Sequence, residues 1–442
     1  MSRLVNTPNL RISTAVFWLL LTRGTGAMGE ELTLKECLEK AISQNPLVAE
    51  SALGVAASEE GIKGAWGRHY PRLSLDANYS RREDPVPFIP AQSTTTPAHF
   101  SDSYGSWSAL LVFPLYQGGQ VAANVELARV RRDLQRLFLA QTRNDLIANT
   151  VNTYHKLLQL QQFREASRAS TAALAEQVKN ALLLFEVERI AKVDLLKVKV
   201  QLANEEQRLL ALDEAIATTG ALLRYLMGEA PTAAAGEPRL ADHLGMPEAP
   251  AVSAETGERT REARPEYQTA KQGVREAHIS RRNAVGTLLP SVNALASYTD
   301  QFGLQPWYEE PNWALGLQVS LPLFDRSLYA DLSREGIQQQ RAQERLRAVT
   351  NQLALEFDTA LASMRESSRR VETAQQVIEQ ARESFRIEQE KYGSGAGAMS
   401  DLLLAQAAES MADANLSQAL FDYNAALVAY HKATGTLEDY LK

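Results

Sequence analysis

The 442-residue chain has almost none of the residues that mark a redox, metal-dependent or phosphate-binding protein. Its single cysteine, Cys37, cannot form a disulfide within the chain, and we interpret it as a small packing residue of a helix. The six histidines are scattered without metal-ligand spacing, so we expect no metal site and no cofactor. The glycines at 393, 395 and 397 do not follow a strand within a βαβ unit, as a phosphate-binding loop requires. No constellation of residues supports an enzyme.

The chain also lacks an excess of basic charge and a long apolar segment. Its formal net charge is −7 and no basic stripe stands out, so we expect no nucleic-acid partner. Beyond the N-terminus no apolar run reaches the roughly 18 residues of a transmembrane helix. A membrane crossing would therefore have to use β-strands.

Residues 1–29 have the pattern of a secretory signal peptide. Arg3 and Arg11 flank a short apolar core, Ile12 to Leu21, and small residues follow it. The core is too short for an ordinary membrane anchor. The alternative interpretation is a buried N-terminal segment.

Proline and glycine are absent from two very long stretches. The first runs from Gln120 to Phe185, and the second, from Tyr329 to Lys391, contains only Gly336. Apolar residues recur at spacings of three and four from Leu346 to Phe385 and, in a partner helix, from Leu195 to Leu223, which indicates coiled-coil helices. A helix of about 66 residues is ~99 Å long at 1.5 Å per residue, several times the average helix.

The chain repeats itself. Pro46 and Pro71 recur 219 residues later as Pro265 and Pro290. Phe113-Pro114-Leu115-Tyr116 recurs 208 residues later as Leu321-Pro322-Leu323-Phe324, and Phe185 with Asp194-Leu195-Leu196 recurs 207 residues later as Tyr392 with Asp401-Leu402-Leu403. Changing offsets are what loops of different length produce. The sequence therefore predicts two copies of one unit: a helix, two strands and two long helices.

The predicted boundaries follow from this repeat. Residues 30–227 form the first unit, 228–263 a linker or irregular insert, and 264–442 the second unit. The predicted strands are 72–82, 103–115, 291–300 and 313–323, and the predicted long helices are 120–185, 193–227, 329–391 and 400–434.

The four strands alternate between apolar and polar residues, although Leu110 and Val112 break the pattern in the second. The fourth is the clearest, with Trp313, Leu315 and Leu317 on one face and small or polar residues between them. Strands of 9–11 residues suit a tilted membrane crossing, and an aromatic girdle is expected from Tyr79, Trp107, Tyr298 and Trp313. A soluble β-sandwich would alternate in the same way. The proline-containing segments 83–102 and 300–312 are predicted to be extracellular loops.

Four strands are too few to close a barrel, and open strand edges are not tolerated in lipid. Membrane barrels start at eight strands. Three chains with four strands each would give a closed twelve-stranded barrel, which the long helices would continue as a tunnel.

The chain resembles the outer-membrane efflux protein family, the TolC-like ducts, over nearly its whole mature length. The motifs that carry the resemblance are duplicated and in order. They are Leu32-Thr33-Leu34 with Asn45-Pro46, Tyr70-Pro71-Arg72-Leu73, Phe113 to Gly119, Arg264-Pro265-Glu266, Leu289-Pro290, Leu321 to Arg326, and Tyr392-Gly393-Ser394-Gly395 with Asp401-Leu402-Leu403.

The resemblance implies a mainly α fold with a membrane β-barrel: two tandem repeats, antiparallel coiled-coil helices forming a periplasmic tunnel, and a trimeric twelve-stranded barrel. It implies an outer-membrane channel of a tripartite efflux or type I secretion system. The partners implied are two further copies of the chain, a periplasmic adaptor, an inner-membrane pump and outer-membrane lipid.

The resemblance also assigns residues to the closed end of the tunnel, at the turns 186–193 and 393–400. Asp194 and Asp401 are expected to form the periplasmic gate, although Asp at the start of a helix is also a good N-cap. The residues assigned to the helix-turn tips and adaptor docking are Phe185, Arg189, Lys192, Tyr392, Gly393, Gly395 and Gly397.

Two departures from the family pattern concern these turns. The first turn contains no glycine, and Gly397 stands where some relatives have a basic gating residue, so any cation of the gate would have to be Arg189 or Lys192. The competing hypothesis for the whole chain is a soluble coiled-coil adaptor or scaffold. The sequence does not identify the cargo among drugs, metal cations, solvents and proteins, although Leu321 to Arg326 weakly resembles the metal-efflux and solvent-efflux branches.

Overall fold

The structure is a computed structural model and describes residues 31–89, 98–230, 237–250, 260–304 and 307–441. The predicted signal peptide lies outside the described residues. None of the helices in these ranges combines the length and the apolar character needed to span a membrane.

In the part of the chain that the structure describes, helices and strands follow one another in two similar series. The first contains α1 (Leu34–Gln44), α2 (Pro46–Gly67), β1 (Arg72–Ile89), β2 (His99–Gln117), α3 (Gln120–Glu186) and α4 (Lys192–Leu226). The second contains α5 (Pro265–Gly286), β3 (Ser291–Leu304), β4 (Trp307–Ser320), α6 (Arg326–Gly393) and α7 (Met399–Thr434), and a 3-10 helix, Leu437–Leu441, ends the described chain.

Local sequence sets the start of the first two helices. The Thr33 hydroxyl accepts a hydrogen bond from the Glu36 backbone N–H, and the Glu36 carboxylate accepts one from the Thr33 N–H, which is a capping box. Asn45 then caps α2 by accepting from Leu47 N–H at 2.9 Å, and Pro46 occupies the first helical position, where no N–H is needed.

The long helices reach the length that the absence of proline and glycine predicts. The 67 residues of α3 and the 68 residues of α6 each correspond to ~100 Å. Each folds back on a shorter partner, α3 on α4 and α6 on α7, and the two pairs meet along α3 and α7. Side chains such as Leu157, Leu223 and Tyr423 are fully buried where these helices cross.

The four strands form one antiparallel sheet in the order β1-β2-β3-β4. Its register puts the predicted apolar residues of all four strands in common rows: Leu75, Ala109, Tyr298 and Trp313 form one row, and Leu73, Leu111, Ala296 and Leu315 the next. One face of the sheet is therefore apolar, and its outer side chains, among them Leu315, are exposed in a single chain. The Trp107 and Tyr298 rings lie 5.1 Å apart near the middle of β2 and β3. The aromatic girdle therefore stays a prediction.

The strands are longer than predicted, so much of the segments 83–102 and 300–312 is strand and not loop. The extracellular location of these segments stays a prediction. β1 continues to Ile89 through Pro85 and Pro87, and β4 contains Pro311. The sequence reasoning treated these prolines as strand breakers. Because β1 and β4 are the two edge strands, a missing N–H on the free side costs no ladder hydrogen bond. Residues 90–97 and 305–306 of these connections lie outside the described residues.

Residues 237–250, within the predicted linker, form a strap across both helix pairs. Asp242 Oδ2 accepts hydrogen bonds from the Tyr154 hydroxyl at 2.6 Å and from Leu34 N–H at 3.1 Å. On the other side, Tyr423 donates to the Pro247 carbonyl, and Asn424 donates to the Gly245 carbonyl, both at 2.9 Å. The strap thereby connects the start of the chain, α3 and α7.

Candidate functional site at the helix turns

The two turns between the long helices have the same backbone geometry. In the first, Arg189 N–H donates to the Leu184 carbonyl at 2.8 Å, and 207 residues later Ala396 N–H donates to the Lys391 carbonyl at 2.9 Å. The sequence repeat therefore extends to individual hydrogen bonds at the tips.

Both turns need one residue with a positive φ, and they supply it differently. Gly395 has φ 78° in the second turn, and Glu188, at the matching position, has φ 60° in the first. A side chain is disfavoured in this left-handed region. The first turn thus has the same type as the second, although glutamate and not glycine occupies its left-handed position. In the second turn, a Cβ at Gly397 would lie 3.0 Å from the Tyr392 nitrogen, so this position also favours glycine.

The chemical surfaces of the two turns differ. The first is charged, with Glu186, Glu188, Arg189 and Lys192 all exposed. The second, from Gly393 to Ala398, carries no charged side chain, so its backbone is open to contact. Neither Arg189 nor Lys192 has an ion-pair partner within 4.0 Å among the described residues.

Asp194 and Asp401 are not N-caps, which corrects the alternative role considered for them. Ala191 and Ala398 occupy the N-cap positions of α4 and α7, without a side-chain capping bond. Each Asp is the third residue of its helix, where a negative charge is still favourable near the positive helix end. The sequence pattern of an acid near a helix start suits both positions and did not distinguish them.

The surroundings of the two carboxylates differ. Asp194 is partly buried and pairs with Lys197 Nζ at 3.3 Å. Asp401 is exposed, and its Oδ1 accepts a long bond of 3.4 Å from the Ser400 hydroxyl. Of the two, Asp401 is therefore the carboxylate whose charge is less compensated.

The two aromatic residues above the turns also have different environments. Phe185 is exposed, whereas Tyr392 packs against a buried cluster of Val198, Met399 and Leu402 that joins the two helix pairs. Burial raises the pKa of the Tyr392 hydroxyl, and the nearby Asp194 charge raises it further. Tyr392 of the second helix pair thus lies near the Asp194 carboxylate of the first, a proximity that the sequence did not predict.

Above the turns, a cleft lies between the two helix pairs, and sequence reasoning missed it. Arg382 of α6 reaches Asp413 of α7 at 3.5 Å, and burial raises the pKa of the neighbouring Glu409. On the opposite wall the buried Glu205 accepts a 2.7 Å hydrogen bond from the Ser167 hydroxyl. The residues come from all four long helices, so no single sequence segment could have indicated them.

Within the described ranges, no group of three or more His, Cys, Asp or Glu residues is placed to hold a metal ion. Cys37 is fully buried in α1, and burial raises the pKa of its thiol to about 12. Its environment is that of an unreactive packing residue.

Comparison with known proteins gives consistent matches along the chain. Residues 37–229 and 257–436 each match the outer membrane efflux protein family. The chain is 23% identical over 427 residues to the outer membrane efflux protein BepC of Brucella suis biovar 1 (strain 1330), which covers 94% of this chain and 87% of that protein.

Solved structures match over similar lengths. The CmeC outer membrane channel of Campylobacter jejuni superposes with a TM-score of 0.81 at 15% identity, over 98% of this chain and 94% of that chain. The outer membrane protein VceC of Vibrio cholerae superposes with a TM-score of 0.76 at 20% identity, over 91% and 96% of the two chains. At these identities the superpositions establish a shared fold.

Proposed function

The chain belongs to the outer membrane efflux protein family, whose members are outer-membrane channels of tripartite efflux systems, and we propose that three copies of it build one such duct. It is an outer-membrane protein with a large periplasmic part. The family and the fold are those of channel proteins, and we assign the chain no catalytic step.

The observation that carries the proposal is the open, one-sided sheet. One face is apolar and exposed, and the other is mostly polar apart from Leu110, Val112 and Leu295. β1 and β4 both end the sheet with unpaired edges in the single chain. An open edge is not tolerated in lipid, so other copies must cover it. Three copies give a closed twelve-stranded barrel with the apolar face toward lipid and the polar face toward an aqueous lumen.

The helix pairs extend this barrel into the periplasm as a tunnel of about 100 Å. Its closed end lies at the two turns of each chain, where Asp401 and Asp194 form the periplasmic gate. Three copies of Asp401 around one axis repel one another and attract cations. Exposure and the long contact to Ser400 support Asp401 as the main gate residue, and the Lys197 pair reduces the share of Asp194.

We propose that a periplasmic adaptor docks on the turn tips and connects the duct to an inner-membrane pump. The tip surface comprises Phe185, Arg189, Lys192, Tyr392, Gly393, Gly395 and Gly397. The uncharged second turn allows close backbone approach, and the exposed Arg189 and Lys192 offer unpaired positive charge. Cargo selection lies with the pump, and the duct passes solutes that the pump delivers.

The proposal is tested by mass and conductance together. The protein extracted from outer membranes in detergent should have the mass of three chains, and the same preparation should form ion-conducting pores in planar bilayers. A soluble monomer recovered from the periplasm would instead support the coiled-coil scaffold. Trimers without conductance would contradict the duct while keeping the assembly.

A further inference from the structure

The internal repeat determines which residues of neighbouring copies face each other, and this inference rests on the proposed trimer. In the sheet, residues of β1 correspond to residues of β3 at an offset of 219, and residues of β2 to residues of β4 at an offset of 208, as the motifs at Pro71 and Phe113 show. The two hairpins test this correspondence. Leu73 faces Leu111 in the first hairpin, so the offsets require Val292 to face Val319 in the second, and it does.

The strand pairing between the two units of one chain therefore predicts the strand pairing between neighbouring chains. Within a chain, β2 of the first unit pairs with β3 of the second. In a ring of three chains, β4 pairs with β1 of the next chain, which again joins one unit to the other. We propose that this intersubunit seam, the pairing of β4 with β1 of the next copy, repeats the register of β2 with β3.

The offsets convert observed pairs into seam pairs. Ala109 faces Tyr298 within the chain, which places Leu317 opposite Tyr79 of the next copy. Leu110 faces Ser297, which places Gln318 opposite Asn78 of the next copy. These are apolar opposite apolar on the lipid-facing side and amide opposite amide on the luminal side. A register shifted by one residue would place the lipid-facing residues of one strand beside the luminal residues of the other.

The exposed residues that directly follow β4 support the seam independently. β2 continues to Gln117 because β3 pairs with it there, and Tyr116 faces Val292. The corresponding stretch of β4, residues 321–325, lies beyond the strand end at Ser320, and Leu323 and Phe324 are 85% exposed. In the seam Phe324 faces Leu73 of the next copy, so the missing pairing partner of this stretch is supplied.

Cysteine cross-linking in outer membranes tests the register. Directly opposite residues bring their Cβ atoms to about 4.5–5.5 Å, close to what a disulfide accepts, whereas positions two residues away are about 7–8 Å apart. The double variant Gln318→Cys with Asn78→Cys should give covalent dimers and trimers under mild oxidation. The matched controls combine Gln318→Cys with Asp76→Cys or with Ser80→Cys, which keep the same face and shift the register by two.

We expect the Asn78 pair to cross-link roughly fivefold or more faster than either shifted pair, since only its Cβ separation suits a disulfide. The lipid-facing pair Leu317→Cys with Tyr79→Cys should also cross-link, and each single variant should stay monomeric on the gel. Faster linkage of a shifted pair in a protein that is trimeric by mass would overturn the register alone. A monomeric mass would instead remove the proposed trimer.

Discussion

Glu188 and Gly395 occupy the same left-handed position in the two helix turns, with φ angles of 60° and 78°. The two residues are 207 positions apart and each follows the C-terminal end of a long helix. The two copies thus share the backbone conformation, although only the second has glycine, the residue that adopts it most easily.

This relationship gives a stability prediction. Gly395→Ala should destabilise the turn by about 1–2 kcal/mol, because a side chain at positive φ clashes with the backbone. Glu188→Gly should stabilise it by up to about 1 kcal/mol, since relief of the strain exceeds the added entropy of the unfolded chain. The midpoint of thermal unfolding, followed by helical circular dichroism in detergent, measures both.

Gly393→Ala is the matched control for this pair. Gly393 is the last residue of α6, and a Cβ there meets no atom within 4 Å. Because alanine is favoured over glycine in a helix, the midpoint should stay or rise slightly. An equal loss of stability at Gly393 and Gly395 would contradict the conformational explanation.

Replacement of Leu317 and Gln318 by arginine should separate the two faces of β4. Leu317 lies on the exposed apolar face, so Leu317→Arg should cost roughly 2–4 kcal/mol near the middle of a bilayer. Gln318→Arg should cost little because its side chain points to the aqueous lumen. The yield of assembled protein in outer membranes and its resistance to denaturant measure the difference, and equal tolerance of both changes would refute the facing.

Asp401→Ala should weaken block by multivalent cations. The carboxylate is exposed and weakly compensated, and three copies around the axis lie within roughly the Debye length of 8 Å of one another if the tunnel is closed there. Single-channel current with a trivalent cation added on the periplasmic side gives the half-blocking concentration, which should rise several-fold. Asp194→Ala should change it less, because Lys197 already offsets that charge.

Unchanged block in Asp401→Ala would place the constriction at other residues. A comparable effect of both substitutions would mean that Lys197 does not screen Asp194 in the assembled duct. The pair of variants therefore tests the gate and its asymmetry separately.

His155 should make the protein less stable in weak acid. Burial lowers the pKa of its imidazole from 6.5 to about 4, with the Asp242 charge acting in the opposite direction. Between about pH 6.5 and pH 4 the unfolded chain therefore binds a proton at His155 that the folded chain does not bind. The free energy of unfolding is highest above about pH 6.5 and falls as the pH drops toward 4. The loss should be about 1–3 kcal/mol per chain.

The measurement compares unfolding midpoints at pH 7.5 and 4.5 in detergent. His155→Gln should reduce the difference between the two midpoints. Tyr154→Phe is the control at the adjacent position: it removes the hydroxyl bonds to Asp242 and Leu32 and should lower both midpoints equally. A pH dependence that survives His155→Gln unchanged would assign it to another group.

The sequence predicted the sheet faces and the long helices because both depend on short-range periodicity. Leu315 and Leu317 alternate with small or polar residues, and no proline or glycine interrupts α3 over 67 residues. The strand ends were wrong because Pro85 and Pro311 are acceptable only on an edge, and edge position is a property of the sheet order.

At the turns, sequence reasoning found the positions and missed the contacts. The repeat identified Asp194, Asp401, Phe185 and Tyr392, but it could not indicate that Tyr392 lies near the carboxylate of Asp194. That proximity depends on how the two helix pairs meet. Nor could it distinguish the third helical residue from the N-cap, since both accept an acid.

The strap at residues 237–250 has a consequence for how the chain folds. Its contacts join Leu34 to Asp242 and Pro247 to Tyr423, pairs separated by 208 and 176 residues. Contacts at such separations have to close long loops before they stabilise anything, which slows folding. Pro247 and Gly245 gain their partners Tyr423 and Asn424 only after α7 has been made, so a nascent chain that lacks this helix holds the strap only on the side of Leu34 and Tyr154.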